Sequence, residues 1–179
     1  MTDMIRQDHW RIYFISSWRL ERRIEDRRGN RVGAAFGEAT IAAGVEKATA
    51  ICREALTIDY GGRRFAGEQT ILWRFDHADG PTLHFKNGRF FIAMRFGGDG
   101  GLLRSAFSHG CGEDLYEGVA EIAHGNAWRL VWNVRGPRKD YTLDTLYSRI
   151  GGQRAAATDC ESKRRVPNSA PRTLRGLSP

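Results

Sequence analysis

The residues best able to do chemistry cluster between His109 and Tyr116. His109 and Cys111 are two apart, so on a regular strand they share a face. Gly110 and Gly112 beside them permit a bulge or the close approach of a ligand. Asp114 is placed to hold His109 in one tautomer, and Tyr116 to donate a hydrogen bond. Cys111 would be a nucleophile if a cation such as protonated His109 lowered its pKa. His109, Cys111 and Asp114 are also metal-ligand types, but three groups from one short segment rarely close a coordination sphere, so no metal site is assigned. The plainest reading is a hydrogen-bonded network that pins a turn. Ligand binding without a reaction is the remaining one, and no catalytic residue is assigned.

A second polar group lies in Gly136-Pro137-Arg138-Lys139-Asp140-Tyr141. It lacks the GxxxxGK[ST] spacing of a phosphate loop and no helix follows it. Pro137 sets φ for a turn between strands. Arg138 and Lys139 offer a fork and a point charge to an anion, or else pair with Asp140, Asp114 or Glu113. Glu54 and Gln69 fall on inward faces, and a buried carboxylate needs a partner such as Arg22, Arg53, Arg89, Arg95 or Lys139. One inward carboxylate does not make an acid–base pair. His9, His77, His84 and His124 stand alone and read as surface.

These groups are carried by strands. In Trp128-Arg129-Leu130-Val131-Trp132-Asn133-Val134 the even positions are all large and apolar, the period of a strand with one buried face. Similar alternation runs from Ile12 to Ile24 and through 32–42, 49–59, 64–75, 82–85, 89–95, 102–109, 115–122 and 139–150. Asn87-Gly88 is a strong hairpin signal. No stretch shows sustained helical periodicity. Strands joined by tight turns predict an antiparallel meander, and closure into an up-and-down β-barrel of about 8–10 strands removes its exposed edges. Such a barrel encloses room for one small ligand. An open sandwich is the alternative architecture.

A chain of 179 residues with 41% apolar content fits one cored domain and a tail. Residues 1–9 read as a loose lead, 10–150 as the barrel and 151–179 as a disordered basic tail without aromatics or period. The net charge is +7, but six basic against two acidic residues from Gly151 onward leave only +3 for the rest. That argues against nucleic acid as a partner of the folded part. The cysteines, Cys52, Cys111 and Cys160, are odd in number and lack CxxC spacing, which argues against a disulfide framework or a zinc knuckle. The charged start is unlike a signal peptide, and no uncharged run approaches a membrane span. The expectation is a cytoplasmic protein without membrane contact, with room for a homo-oligomer.

The chain resembles an uncharacterised bacterial family, a domain of unknown function. The resemblance covers about residues 10–150. It rests on Trp18 with Arg22 and Ile24, the Glu54 strand, the Phe85-to-Phe91 hairpin, His109-x-Cys111-x-x-Asp114-x-Tyr116, and Trp132-x-Val134-x-Gly136-Pro137-Arg138-Lys139-Asp140-Tyr141. Ser16 departs from the family's glycine, Asn87 from its aspartate and Ile92 from its frequent histidine. The resemblance implies a calycin-type barrel, the group of lipocalins, avidins and nitrobindin-like haem proteins. It also implies that Trp18 of the first strand stacks on Arg149 of the last and closes one barrel end, an interaction of roughly 0.5–2 kcal/mol. Haem through His109 follows only by analogy with the nitrobindin-like barrels.

The expected function is therefore binding of a small, partly apolar or anionic molecule inside the barrel. Phe14, Trp18, Trp73, Phe91, Trp128 and Trp132 would form the wall. Glu54, His109, Cys111, Asp114, Tyr116, Lys139 and Tyr141 would supply the polar contacts. The competing expectations are an enzyme using Cys111 or His109 with Asp114, and an interaction or nucleic-acid module using the basic tail.

Overall fold

A computed structural model describes residues 2–99 and 101–151 of the chain, apart from the side chains of residues 2–7 and 124. The disordered-tail expectation, Cys160 included, lies outside the described residues. A helix, α1 (Thr2–Phe14), precedes ten strands: β1 (Ser16–Asp26), β2 (Arg31–Ala43), β3 (Thr49–Tyr60), β4 (Arg63–Arg74), β5 (Thr82–Phe85), β6 (Phe90–Ala93), β7 (Leu103–Cys111), β8 (Asp114–His124), β9 (Ala127–Gly136) and β10 (Lys139–Arg149).

The strands form one antiparallel sheet in the order β6-β5-β4-β3-β2-β1-β10-β9-β8-β7. The first and last strands pair over nine residues, from Trp18 opposite Arg149 to Asp26 opposite Tyr141. That pairing curls the meander round on itself. Closure is nearly complete: between β6 and β7, the two ends of the sheet, a bridge joins Gly97 to Arg104, and the Arg95 N–H donates to the Ser105 hydroxyl at 2.7 Å. Curling this tightly needs close backbone approach. Gly37 supplies it, because a Cβ there would run into the Ala55 carbonyl of β3.

The helix corrects two expectations, the loose lead over residues 1–9 and the strand beginning at Ile12. Ile12 is 74% exposed, whereas Trp10 and Phe14 are buried. Their spacing of four is that of a helix face, and the alternation of Ile12, Phe14 and Ser16 is coincidental. Phe14 plugs one barrel end, its ring centroid 4.9 Å from that of Trp73 and 5.5 Å from that of Trp128. The plug is pinned by polar groups on the rings. Trp10 Nε1 donates to the Ala78 carbonyl, Tyr13 Oη to that of Ala127, and Trp18 Nε1 to that of Phe14, all at 2.9–3.0 Å. The Arg149 guanidinium lies 4.5 Å from the Trp18 ring centroid and also donates to the Tyr13 carbonyl at 2.5 Å.

In an up-and-down meander successive turns alternate between the two ends. The β2–β3, β4–β5, β6–β7 and β8–β9 connections flank α1. The β1–β2, β3–β4, β5–β6, β7–β8 and β9–β10 turns surround the opposite end, which among the described residues no helix covers.

Candidate functional site

Above the Phe14 plug the barrel interior contains a cavity. Water-sized molecules reach about 60 Å³ of it with their centres, and it measures about 470 Å³ when the part open to solvent is counted. Roughly 10–15 Å³ of such reachable volume accommodates one water, so the enclosed part holds about four to six. Its wall is mostly apolar: Trp73, Phe91, Trp128 and Trp132 with Ile71, Leu83, Met94 and Leu130.

The cavity's polar groups form a network. Arg22 of β1 donates to Thr145 Oγ1 at 2.8 Å and to Glu54 Oε2 at 3.2 Å. Tyr147 Oη donates to Glu54 Oε1 at 2.6 Å. Glu54 thus finds its partner in Arg22, the two side chains being 10% and 15% exposed. Burial works against the Arg22 charge, but Tyr147 and Glu54 outweigh it and hold its pKa above the ordinary value. Burial and the Glu54 carboxylate push the Tyr147 hydroxyl well up. Burial likewise pushes the neighbouring Cys52 thiol far up, which makes it unreactive.

Two wall residues carry an unmet demand. The indole N–H groups of Trp73 and Trp128 are buried and, among the described residues, have no hydrogen-bond acceptor. Both side chains are about 3% exposed.

The His109-to-Tyr147 region divides between this cavity and the barrel's open end. Of the nine expected ligand-binding residues, Glu54, Trp128 and Trp132 line the cavity. Cys111, Asp114 and Lys139 instead line a recess outside it, with Glu113, Pro137 and Arg138. Asp114 does not reach His109. It accepts from Lys139 Nζ at 2.7 Å, and Gly136 makes room for it, since a Cβ there would collide with the carboxylate. Lys139 Nζ also donates to Tyr116 Oη at 2.7 Å. Those two bonds raise the Lys139 pKa, so its ammonium stays charged and cannot act as a base. Burial, with Tyr116 beside it, raises the Tyr141 hydroxyl.

His109 pairs across the ladder with Tyr116, two rungs inside Cys111 and Asp114. Its ring neighbours are Phe85 at 5.6 Å, Phe91 at 4.9 Å and Tyr116 at 6.4 Å. Asp114 as the orienting partner of His109 is thereby corrected, because the Lys139 ammonium is the stronger attraction for a carboxylate. The haem analogy finds little room here. Phe85, Phe91 and Tyr116 pack round the His109 ring, His109 does not line the cavity, and the enclosed volume of about 60 Å³ is far smaller than a macrocycle. Cys111 sits exposed at the hairpin tip.

Phe14 and Trp18, expected in the wall, belong to the packed end beneath the cavity rather than to its lining. Tyr147 was missed. It occupies the same β10 face as Lys139 and Arg149, at odd positions, and the alternation along β10 is the signal that could have found it. Ile92, where the resemblance expects a frequent histidine, is 1% exposed in the core.

Two solved structures share the fold. Rv2717c from M. tuberculosis superposes with a TM-score of 0.57 at 13% identity, over 80% of this chain and 97% of its own. The S-type phycobiliprotein lyase CPES from Guillardia theta gives a TM-score of 0.52 at 10% identity, over 86% and 99%. At such identities the likeness speaks for the fold alone, that of a calycin-like barrel. No curated protein matches the chain. The model of a family of unknown function, DUF6314, matches residues 14–149, all ten strands from the plug residue Phe14 to the Trp18 partner Arg149, and the chain belongs to that family.

Proposed function

We propose that the protein binds a small, partly apolar molecule inside the barrel. The observation that carries this reading is the cavity itself, open in part to solvent and walled by Trp73, Phe91, Trp128 and Trp132, with the Arg22–Glu54–Tyr147 network in the same wall. The aromatic wall supplies apolar contact, and the Arg22–Glu54–Tyr147 network offers oriented polar groups beside it.

The test is titration with the neutral fluorophore N-phenyl-1-naphthylamine, followed by its emission and by thermal shift. The expected result is saturable binding that Trp132→Ala weakens and that raises the melting temperature. Absence of saturable binding overturns the reading, as does binding that Trp132→Ala and Trp73→Phe both leave unchanged.

A further inference from the structure

The two ends of the barrel differ in charge. Around α1, the β2–β3, β4–β5 and β6–β7 connections carry Glu46, Asp76, Asp79 and Asp99 against Lys47 and Arg95, and Arg95 is engaged with Asp79 at 3.4 Å. The open end is the reverse. Its β1–β2 turn bears Arg27 and Arg28, with Arg31 opening β2; Arg63 and Arg64 open β4; the β5–β6 turn carries Lys86 and Arg89, and the β9–β10 turn Arg138, with Lys139 opening β10.

Some of these charges are spent on the rim itself. Arg27 pairs with Asp140 at 2.6 Å, Arg64 with Asp59 at 2.6 Å and Lys139 with Asp114 at 2.7 Å. Arg28 donates to the Pro137 carbonyl and Tyr60 to Asp26. These contacts stitch turn to turn: β3–β4 to β1–β2, β1–β2 to β9–β10, and β9–β10 to β7–β8. The result is a continuous arc. Among the described residues, the charges of Arg28, Arg63, Lys86, Arg89 and Arg138 have no carboxylate within ion-pair distance. Glu113 is the one rim carboxylate in the β7–β8 turn not engaged by Lys139. A mouth with an excess of one sign of charge draws its field toward ions of the other.

The interior behaves differently. Its one cation, Arg22, is neutralised by Glu54. A second buried anion there would face the Glu54 carboxylate and meet no free positive charge. The enclosed volume also holds only a handful of atoms, so a ligand larger than that extends toward the mouth. The path outward runs along Trp132, which lies 5.6 Å from Phe91 and 6.4 Å from Tyr116, and then to Lys139 on the Tyr116 hydroxyl. Apolar depth, a charge-balanced middle and a basic rim follow one another along this path.

From this sequence of environments we infer that the ligand is an amphipathic organic anion, whose apolar body fills the aromatic cavity while its carboxylate, sulfonate or phosphate stays at the arginine-rich mouth. The inference rests on the ligand-binding reading above and adds the ligand's charge and orientation. Its source is a free small molecule rather than a membrane surface, because the rim charges encircle an opening that leads to a cavity.

Two probes that differ by one sulfonate test it: N-phenyl-1-naphthylamine, which is neutral, and 8-anilinonaphthalene-1-sulfonate. The double variant Arg63→Glu/Arg138→Glu changes two exposed rim residues only, and circular dichroism checks that its fold is kept. The expected result is that the neutral probe displaces the sulfonate from the wild type. The variant should weaken the sulfonate about tenfold or more and leave the neutral probe within about twofold, and 0.5 M salt should mimic the variant. If both probes bind and the variant and salt treat them alike, the anion inference falls and the cavity reading stands. If neither binds, both fall together. Sedimentation of the wild type with phosphatidylglycerol vesicles but not with the variant, without any preference for the sulfonate probe, overturns the inference in favour of a membrane surface.

Discussion

Trp128 and Tyr147 lie face to face, their ring centroids 3.9 Å apart and their planes 3° from parallel. They are direct cross-strand neighbours on β9 and β10, and Tyr147 turns its hydroxyl to Glu54 at 2.6 Å. One residue therefore joins the aromatic wall to the polar network. Tyr147→Phe keeps the stack and removes the donor to a carboxylate, at an expected cost of about 1–3 kcal/mol. Tyr147→Ala removes both, at about 3–5 kcal/mol. Urea unfolding of the two variants measures the difference.

Glu54 and Arg22 form a mostly buried pair. Removing one partner strands the other, so Glu54→Gln should cost about 3–5 kcal/mol. Arg22→Met/Glu54→Leu removes both charges, and it should be more stable than Glu54→Gln alone. An equal or lower denaturation midpoint for the double variant would contradict this.

Arg149 links the barrel to α1, through the Trp18 ring at 4.5 Å and the Tyr13 carbonyl at 2.5 Å. Arg149→Met should lose the cation–π contact, roughly 0.5–2 kcal/mol, and loosen the helix. Hydrogen exchange should quicken at the Ile15 amide, which bonds to the Arg11 carbonyl, before it quickens in β1. Arg149→Lys should rescue little, since an ammonium lacks the planar fork.

Stability should bend at both ends of the pH scale. Asp144 is held below the ordinary carboxylate value by its hydrogen bonds to Arg129, at 2.6–2.8 Å. A carboxyl depressed in the folded state contributes stability that is full above its unfolded pKa, near 4, and is lost as pH falls below it. Thermal melts between pH 5 and 2.5 should show the loss, with a shallower slope in Arg129→Met. Cys52 acts in the opposite direction. Its thiol is pushed up by burial, so the unfolded chain releases that proton near pH 9 while the folded chain keeps it. Stability then declines as pH rises past about 9, and Cys52→Ala should flatten that decline.

Thiol labelling separates the two described cysteines. Cys111 is exposed and Cys52 buried. Peptide mapping after brief iodoacetamide treatment should find Cys111 modified and Cys52 untouched, with Cys52 appearing only in urea. Early labelling of Cys52 would contradict its placement in the wall.

The strands were legible because alternation is a local signal. Trp128, Leu130, Trp132 and Val134 name their own inward face, and Asn87-Gly88 names its own turn, with Gly88 at φ +82°. The helix escaped because a tetrad spacing, Trp10 to Phe14, overlaps an accidental run of period two at Ile12 and Phe14. The polar network of the cavity escaped for a different reason. Alternation tells which way Arg22, Glu54 and Tyr147 face, but their meeting depends on β1 pairing with β10 across 123 residues of chain, as in the Arg22–Thr145 bond. Asp114 shows the limit most plainly. Its spacing from His109 suggested a local pair, and a lysine 25 positions later took it instead.

The gap between β6 and β7 sets the mechanical character of the barrel. Every other neighbouring pair is laced by a ladder, while this one is spanned by the Gly97–Arg104 bridge and a hydroxyl contact from Ser105. Phe91 and His109 face each other across that seam. Parting the wall there ruptures almost no backbone hydrogen bonds, so the girth of the barrel is compliant on this side and stiff on the other. A guest wider than the resting chamber would be admitted by springing the seam, and it would leave its mark as added protection along β6 and β7.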